Sequence, residues 1–195
     1  MTEEDLYERI DPVLQRSGMM IDDGEEFREP ALDILRYYQR PIRLHWVPVV
    51  GSGRSVLAVV RQPVDVGIAA DGYSRLVRRL AMAAHGRYPP WPSGPGLAIG
   101  LTAIILTPEP IRPEDDDALD RALASLKRSR IVPIGLFRLN LGQQAMAHSL
   151  ATVPGGPFPE PTELAETLAE TFRRFVPLLP PGCGRLLEPV TLETD

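Results

Sequence analysis

Lysine is almost missing from this chain. Of its 21 basic residues only Lys127 is a lysine, a bias that fits codon usage in a GC-rich genome. Any lysine-dependent chemistry therefore has one candidate, and that residue sits in the last turn of an expected surface helix. Cysteine is as scarce. The single thiol, Cys183, excludes an internal disulfide, a CxxC redox pair and a cysteine-rich zinc site. It lies in the turn-like stretch Pro180-Pro181-Gly182-Cys183-Gly184, with no basic or histidine neighbour to make it a thiolate. The three histidines, His45, His85 and His148, are spread over three elements with no partner three or four residues away, so no metal site is read from them.

Other absences narrow the function. No run of about 18 apolar residues occurs, so no membrane-spanning helix and no membrane partner is expected. The acidic start, Met1-Thr2-Glu3-Glu4-Asp5, is the opposite of a basic secretory signal, and the expected location is cytoplasmic. A net charge of −5 argues against nucleic acid as the main partner, because phosphate binding needs a concentrated basic surface. P-loop, H-E-x-x-H, G-x-S-x-G and strand-following G-x-G-x-x-G motifs are all absent, and no cofactor is expected.

What remains is an ordinary globular composition. With 195 residues, 44% hydrophobic and 24% charged, residues 1–195 read as one domain. The segment 1–40 reads as helical. Leu6 and Ile10 share a face, Asp11-Pro12 restarts a second short helix, and Ala31, Ile34, Leu35 and Tyr38 form the stripe of another that Pro41 stops. Residues 42–50 and 54–61 read as a hairpin turning at Gly51-Ser52-Gly53, with Pro48 marking its first strand as an edge. A helix from about Gly72 to His85 buries Tyr73, Leu76, Val77, Leu80 and Ala84, and turns Arg75, Arg78 and Arg79 outward.

A proline-rich loop around Trp91 leads to the uncharged run Leu97 to Leu106, a strand covered on both faces. A helix after Pro113 buries Leu119, Ala122, Leu123 and Leu126, and the strand Ile131 to Leu139 follows. Strand, helix, strand in this order predicts a right-handed parallel crossover. Leu141 to Leu150 reads as more helical than not, and residues 162–176 as an amphipathic helix striped by Leu164, Leu168, Phe172 and Phe175. The expected class is α/β: a single layered domain, a mixed four- to five-stranded sheet with helices on both faces.

Two clusters could carry chemistry. The acidic run Glu114-Asp115-Asp116-Asp117 invites a metal, yet it opens a helix that ends in Lys127, Arg128 and Arg130. That charge order is the one the helix dipole favours, and we read the run as the structural first turn of that helix. The second cluster ends the second hairpin strand, at Arg61, Gln62 and Asp65, with His45 brought near by the paired strand. Carboxyl ends of central strands are where α/β folds bind ligands; an Arg61–Asp65 ion pair is the structural reading of the same residues.

The order helix, hairpin, strand, helix, strand over about half the chain resembles the PD-(D/E)XK nuclease core. That resemblance implies a metal site built from an aspartate and a following Glu-x-Lys. No Glu-x-Lys occurs here, and the strand 97–106 has no charge. The expected function is therefore non-catalytic: a binding or scaffold domain, with self-association into a homo-oligomer as the possible partner. The alternative is an enzyme, such as a degenerate nuclease, using His45, Arg61, Gln62 and Asp65.

Overall fold

The computed structural model describes residues 1–22, 32–44, 51–62, 72–87, 98–125, 131–151 and 160–174. It is an α/β domain with a mixed sheet, in the order β1 (Met20–Asp22), β2 (Ile34–Leu44), β3 (Gly51–Arg61), β4 (Ala98–Leu106), β5 (Ile131–Asn140), β6 (Ala145–Leu150) and β7 (Arg173–Arg174). The class is the expected one, with more strands: seven among the described residues, the last of only two residues. β3, β4 and β5 run parallel; the pairs β1–β2, β2–β3 and β5–β6 are antiparallel, and β7 runs parallel to β6.

Both faces are covered, which is why the central strands are apolar over most of their length. Val56, Ala58 and Val60 of β3 face the core beneath α2 (Gly72–Arg87) and α3 (Glu114–Ala124), while Leu57 and Val59 face α1 (Glu3–Arg16) and α4 (Glu160–Ala169). Along a strand the side chains alternate, so each layer receives every second residue. The parallel pairing of β4 with β5, joined through α3, is as the sequence predicts. Pro133 lies inside β5 because the ladder slips there: Leu101 pairs with Pro133 and Thr102 with Gly135, bulging out Ile134.

The N-terminal reading needs correcting. Residues 3–16 form one helix, not two, with Pro12 inside it. Pro12 forfeits one helical bond, but Leu6, Ile10, Val13 and Leu14 form a continuous buried stripe. Each fully buried side chain of this size contributes roughly 1.5–3 kcal/mol, enough to carry the chain through the proline. Thr2 and Asp5 close a capping box at its start: the Thr2 amide donates to Asp5 Oδ2 at 2.7 Å, and the Asp5 amide to Thr2 Oγ1 at 3.2 Å.

Segment 1–40 is not all helical either, since β1 and most of β2 lie in it. Tyr37 and Tyr38 are both fully buried, one on each face of the sheet, which a strand between two covered layers requires. β2 is no edge strand, because β1 pairs along its far side; Pro48 lies outside the described residues. Gly51, Ser52 and Gly53 are not the turn but the start of β3, paired with Leu44, Arg43 and Ile42.

Two C-terminal expectations also change. Residues 145–150 are a strand, reached through a turn in which Gln144 takes a left-handed φ of 50°. The last helix ends at Ala169, and β7 follows. Its stripe holds, with Leu164, Leu168 and Phe172 buried; Phe175 lies outside the described residues. Among the described residues no helix is long and apolar enough to cross a membrane.

Candidate functional site

The carboxyl ends of β3, β4 and β5 meet on one side of the molecule. Backbone bonds step across them: Gln62 N to Leu106 O at 2.8 Å, then Thr107 N to Leu139 O at 2.9 Å. A cavity of about 510 Å³ opens there, lined by Glu3 of α1, Arg61, Leu106, Thr107 and Pro108, and by Asn140, Leu141 and Gly142 after β5. Leu106, Pro108 and Leu141 give it an apolar wall beside the polar side chains.

Arg61, the last residue of β3, stands at the rim of this cleft. It donates from Nη2 to Glu3 Oε1 at 2.9 Å and from Nη1 to Asp33 Oδ2 at 3.0 Å. The bond to Glu3 and that carboxylate's charge hold the guanidinium further into its protonated range. Gln62 follows directly after the strand, its amide bonded to Leu106 O. His45 and Asp65 lie outside the described residues, so the Arg61–Asp65 pairing falls there too.

The remaining polar side chains of the cleft are engaged. Asn140 Nδ2 donates to Pro108 O at 3.1 Å and Glu109 O at 2.9 Å, and its Oδ1 accepts from the Gln143 amide at 2.8 Å. Asn140 therefore ties the loop after β4 to the turn after β5. Thr107 Oγ1 accepts from the Glu109 amide at 3.1 Å and from Arg138 Nη2 at 3.3 Å.

Arg138 is the residue sequence reasoning missed. It is a fully buried guanidinium on β5, on the face under α2 and α3, and Asp115, equally buried, bonds its Nη1. Its Nη2 reaches Glu109 Oε2 at 3.2 Å, and Tyr73 of α2 lies alongside with its ring centroid 5.8 Å from the guanidinium carbon. Burial, above all, raises the Tyr73 hydroxyl's pKa. The available signal was one charge in the middle of an otherwise apolar strand.

The acidic run does open α3, with Glu114 and Asp117 exposed in its first turn, but Asp115 is more than a cap. Asp115 does not face solvent; besides Arg138 it accepts from the Arg112 amide at 2.7 Å. Asp116 accepts from the His148 amide at 3.1 Å, and Asp120, one turn on, accepts from the Ser149 hydroxyl. Carboxylates spaced along α3 are thus used to fasten the helix to β5 and β6. Lys127, Arg128 and Arg130 lie outside the described residues.

A second polar network flanks α1. Asp11 accepts from the Tyr38 hydroxyl at 2.5 Å and pairs with Arg36 at 3.1 Å, while the Arg36 guanidinium lies 4.4 Å from the Tyr7 ring centroid. Burial first, then the bond to Asp11, pushes the Tyr38 pKa far up. Another cavity, about 620 Å³, lies between β6 and the end of α4; His148 lines it and stacks on Phe137 at 5.8 Å. Among the described residues no group of three or more His, Cys, Asp or Glu side chains is placed to hold a metal ion. Arg75 and Arg78 are exposed on the outer face of α2, as expected. Set against protein-family models, curated proteins and solved structures, the chain matches none of them.

Proposed function

We propose that this protein is a non-catalytic binding domain whose ligand site is the cleft at the carboxyl ends of β3, β4 and β5. One observation carries the reading: the cleft is ligand-sized, yet its polar side chains are already engaged within the chain. Arg61 is paired with Glu3 and Asp33, Asn140 staples two loops, and Thr107 serves Arg138. A catalytic group must be able to exchange protons or electrons with a substrate, whereas a binding wall needs only shape and fixed polarity. The apolar wall of Leu106, Pro108 and Leu141 suits a small amphipathic molecule.

The test is a fragment screen by thermal shift on the full chain, repeated with Arg61→Ala. A ligand at 100 times its dissociation constant stabilises by roughly 2.7 kcal/mol. A compound that raises the melting temperature of the wild type, and does so less in Arg61→Ala, supports the reading. Divalent-metal-dependent cleavage of DNA or RNA that Arg61→Ala or Asp65→Ala abolishes would replace it with the nuclease alternative.

A further inference from the structure

The donors of Arg138 are unequally used. Nη1 is fixed by Asp115 and approaches Pro110 O at 3.3 Å; Nη2 is shared between Thr107 Oγ1 and Glu109 Oε2 at 3.3 and 3.2 Å. Nε–H, fully buried, has no acceptor among the described residues. In a guanidinium, Nε–H and the adjacent Nη2–H point the same way, and this side-on fork can take both oxygens of a planar carboxylate. Here one tine is loosely held and the other is empty.

The two carboxylates that meet Arg138 differ in kind. Asp115 is wholly buried and anchored to the Arg112 amide at the start of α3. Glu109 is 44% exposed, sits on the connection between β4 and α3, and offers a single oxygen. A buried guanidinium with an unmade hydrogen bond gains from any ligand that completes it. We infer that the Nε–Nη2 fork of Arg138 is a binding site for a small carboxylate, and that Glu109 is its displaceable internal occupant.

Charge selects the ligand class. With Arg138, Asp115 and Glu109 together the cluster already carries one net negative charge. A monoanionic carboxylate that takes the place of Glu109 leaves that charge unchanged, whereas a phosphate dianion adds to it in a poorly solvated place. The coplanar fork also matches two carboxylate oxygens better than a tetrahedral group. This site lies on the α2 and α3 face and shares only Thr107 with the cleft, so it stands or falls separately from the cleft reading.

The experiment is an acetate titration of the full chain, followed by the backbone amide resonances of Thr107, Glu109 and Arg138, with sodium chloride at equal ionic strength as control. Saturable shifts are expected in the wild type, with an acetate dissociation constant at least tenfold lower in Glu109→Ala. Inorganic phosphate should bind more weakly than acetate. If Glu109→Ala does not fold, Glu109→Gln, which keeps the side-chain length, takes its place, and the wild-type titration is decisive by itself. Acetate acting no differently from chloride in the wild type overturns the proposal, even if the variant responds, because Glu109 is then a permanent partner. An affinity unchanged by the substitution, or a preference for phosphate, also overturns it.

Discussion

Replacing Asp115 by asparagine separates the two roles its acidic run could play. On a solvent-facing helix start, the change would lose only a dipole interaction of about 0.3–1 kcal/mol. In the structure Asp115 and Arg138 are both fully buried, and Asp115 also receives the Arg112 amide at 2.7 Å. Asparagine keeps the shape but leaves the guanidinium without its buried counter-charge. Breaking such a pair from one side costs about 3–5 kcal/mol. Glu109, half in solvent, still offers an oxygen, which places the expected loss near the lower limit, about 3 kcal/mol. For a domain of this size each kcal/mol moves the melting temperature by roughly 2–4 °C, so Asp115→Asn should lower it by about 6–12 °C. Scanning calorimetry should be run beside Asp117→Asn, an exposed position on the same helix, which should lose under about 1 kcal/mol. Equal losses for the two variants would refute the buried-pair argument. A further check is the double change Asp115→Leu with Arg138→Met, which should regain much of the loss because no uncompensated charge remains.

Other expectations follow from the same geometry. Arg61→Ala should cost no more than about 1 kcal/mol, since its ion pairs are solvent-exposed; a double-mutant cycle with Glu3→Ala should give a coupling that fades in high salt. Gly135→Ala should destabilise by about 1–3 kcal/mol in urea melts, because a Cβ there meets Pro161 Cβ at 3.0 Å and α4 would have to lift from β5. Thr2→Ala should cost about 1 kcal/mol by removing the capping box. The Asp5 pKa is lowered, chiefly by the Thr2 amide, so its contribution is present above the ordinary carboxyl pKa of about 3.9 and fades as pH falls through the lowered value. Acid titration of stability should therefore show this loss in wild type and not in Asp5→Asn, which has no carboxylate to protonate.

The parts of the fold that were legible are those whose pattern has one interpretation. Largely apolar runs bracketing an amphipathic helix read as buried parallel strands, and β4, α3 and β5 are that. β2 was misread because Ala31, Ile34, Leu35 and Tyr38 happen to fall at helical spacing. The strand buries Tyr37 and Tyr38 on opposite faces, so no alternation marks it. Its aromatic and β-branched content was the better guide. β6, rich in alanine and methionine, has helix-forming residues and is a strand only because the turn at Gln144 returns it along β5. The site was half legible. Arg61 follows from the rule that ligand sites gather at strand ends, but its partners Glu3 and Asp33 are 58 and 28 residues away in sequence. Distances of that kind leave no local trace. The buried pairing of Asp115 with Arg138 is equally non-local, and a run of four acidic residues reads as surface until its facing strand is known.

The carboxylates of α3 have an effect on the molecule's behaviour in solution. The outermost long strand, β6, has its His148 amide bonded to Asp116 and its Ser149 hydroxyl bonded to Asp120. A strand from another molecule adds to a sheet by finding free amides and carbonyls along an edge. Here an amide that could serve as template is occupied, and the carboxylates that hold α3 in place repel the carbonyl oxygens an incoming strand would bring. The acidic helix therefore works against edge-to-edge aggregation. Replacing its carboxylates by neutral residues should make the chain prone to precipitate even where it still folds.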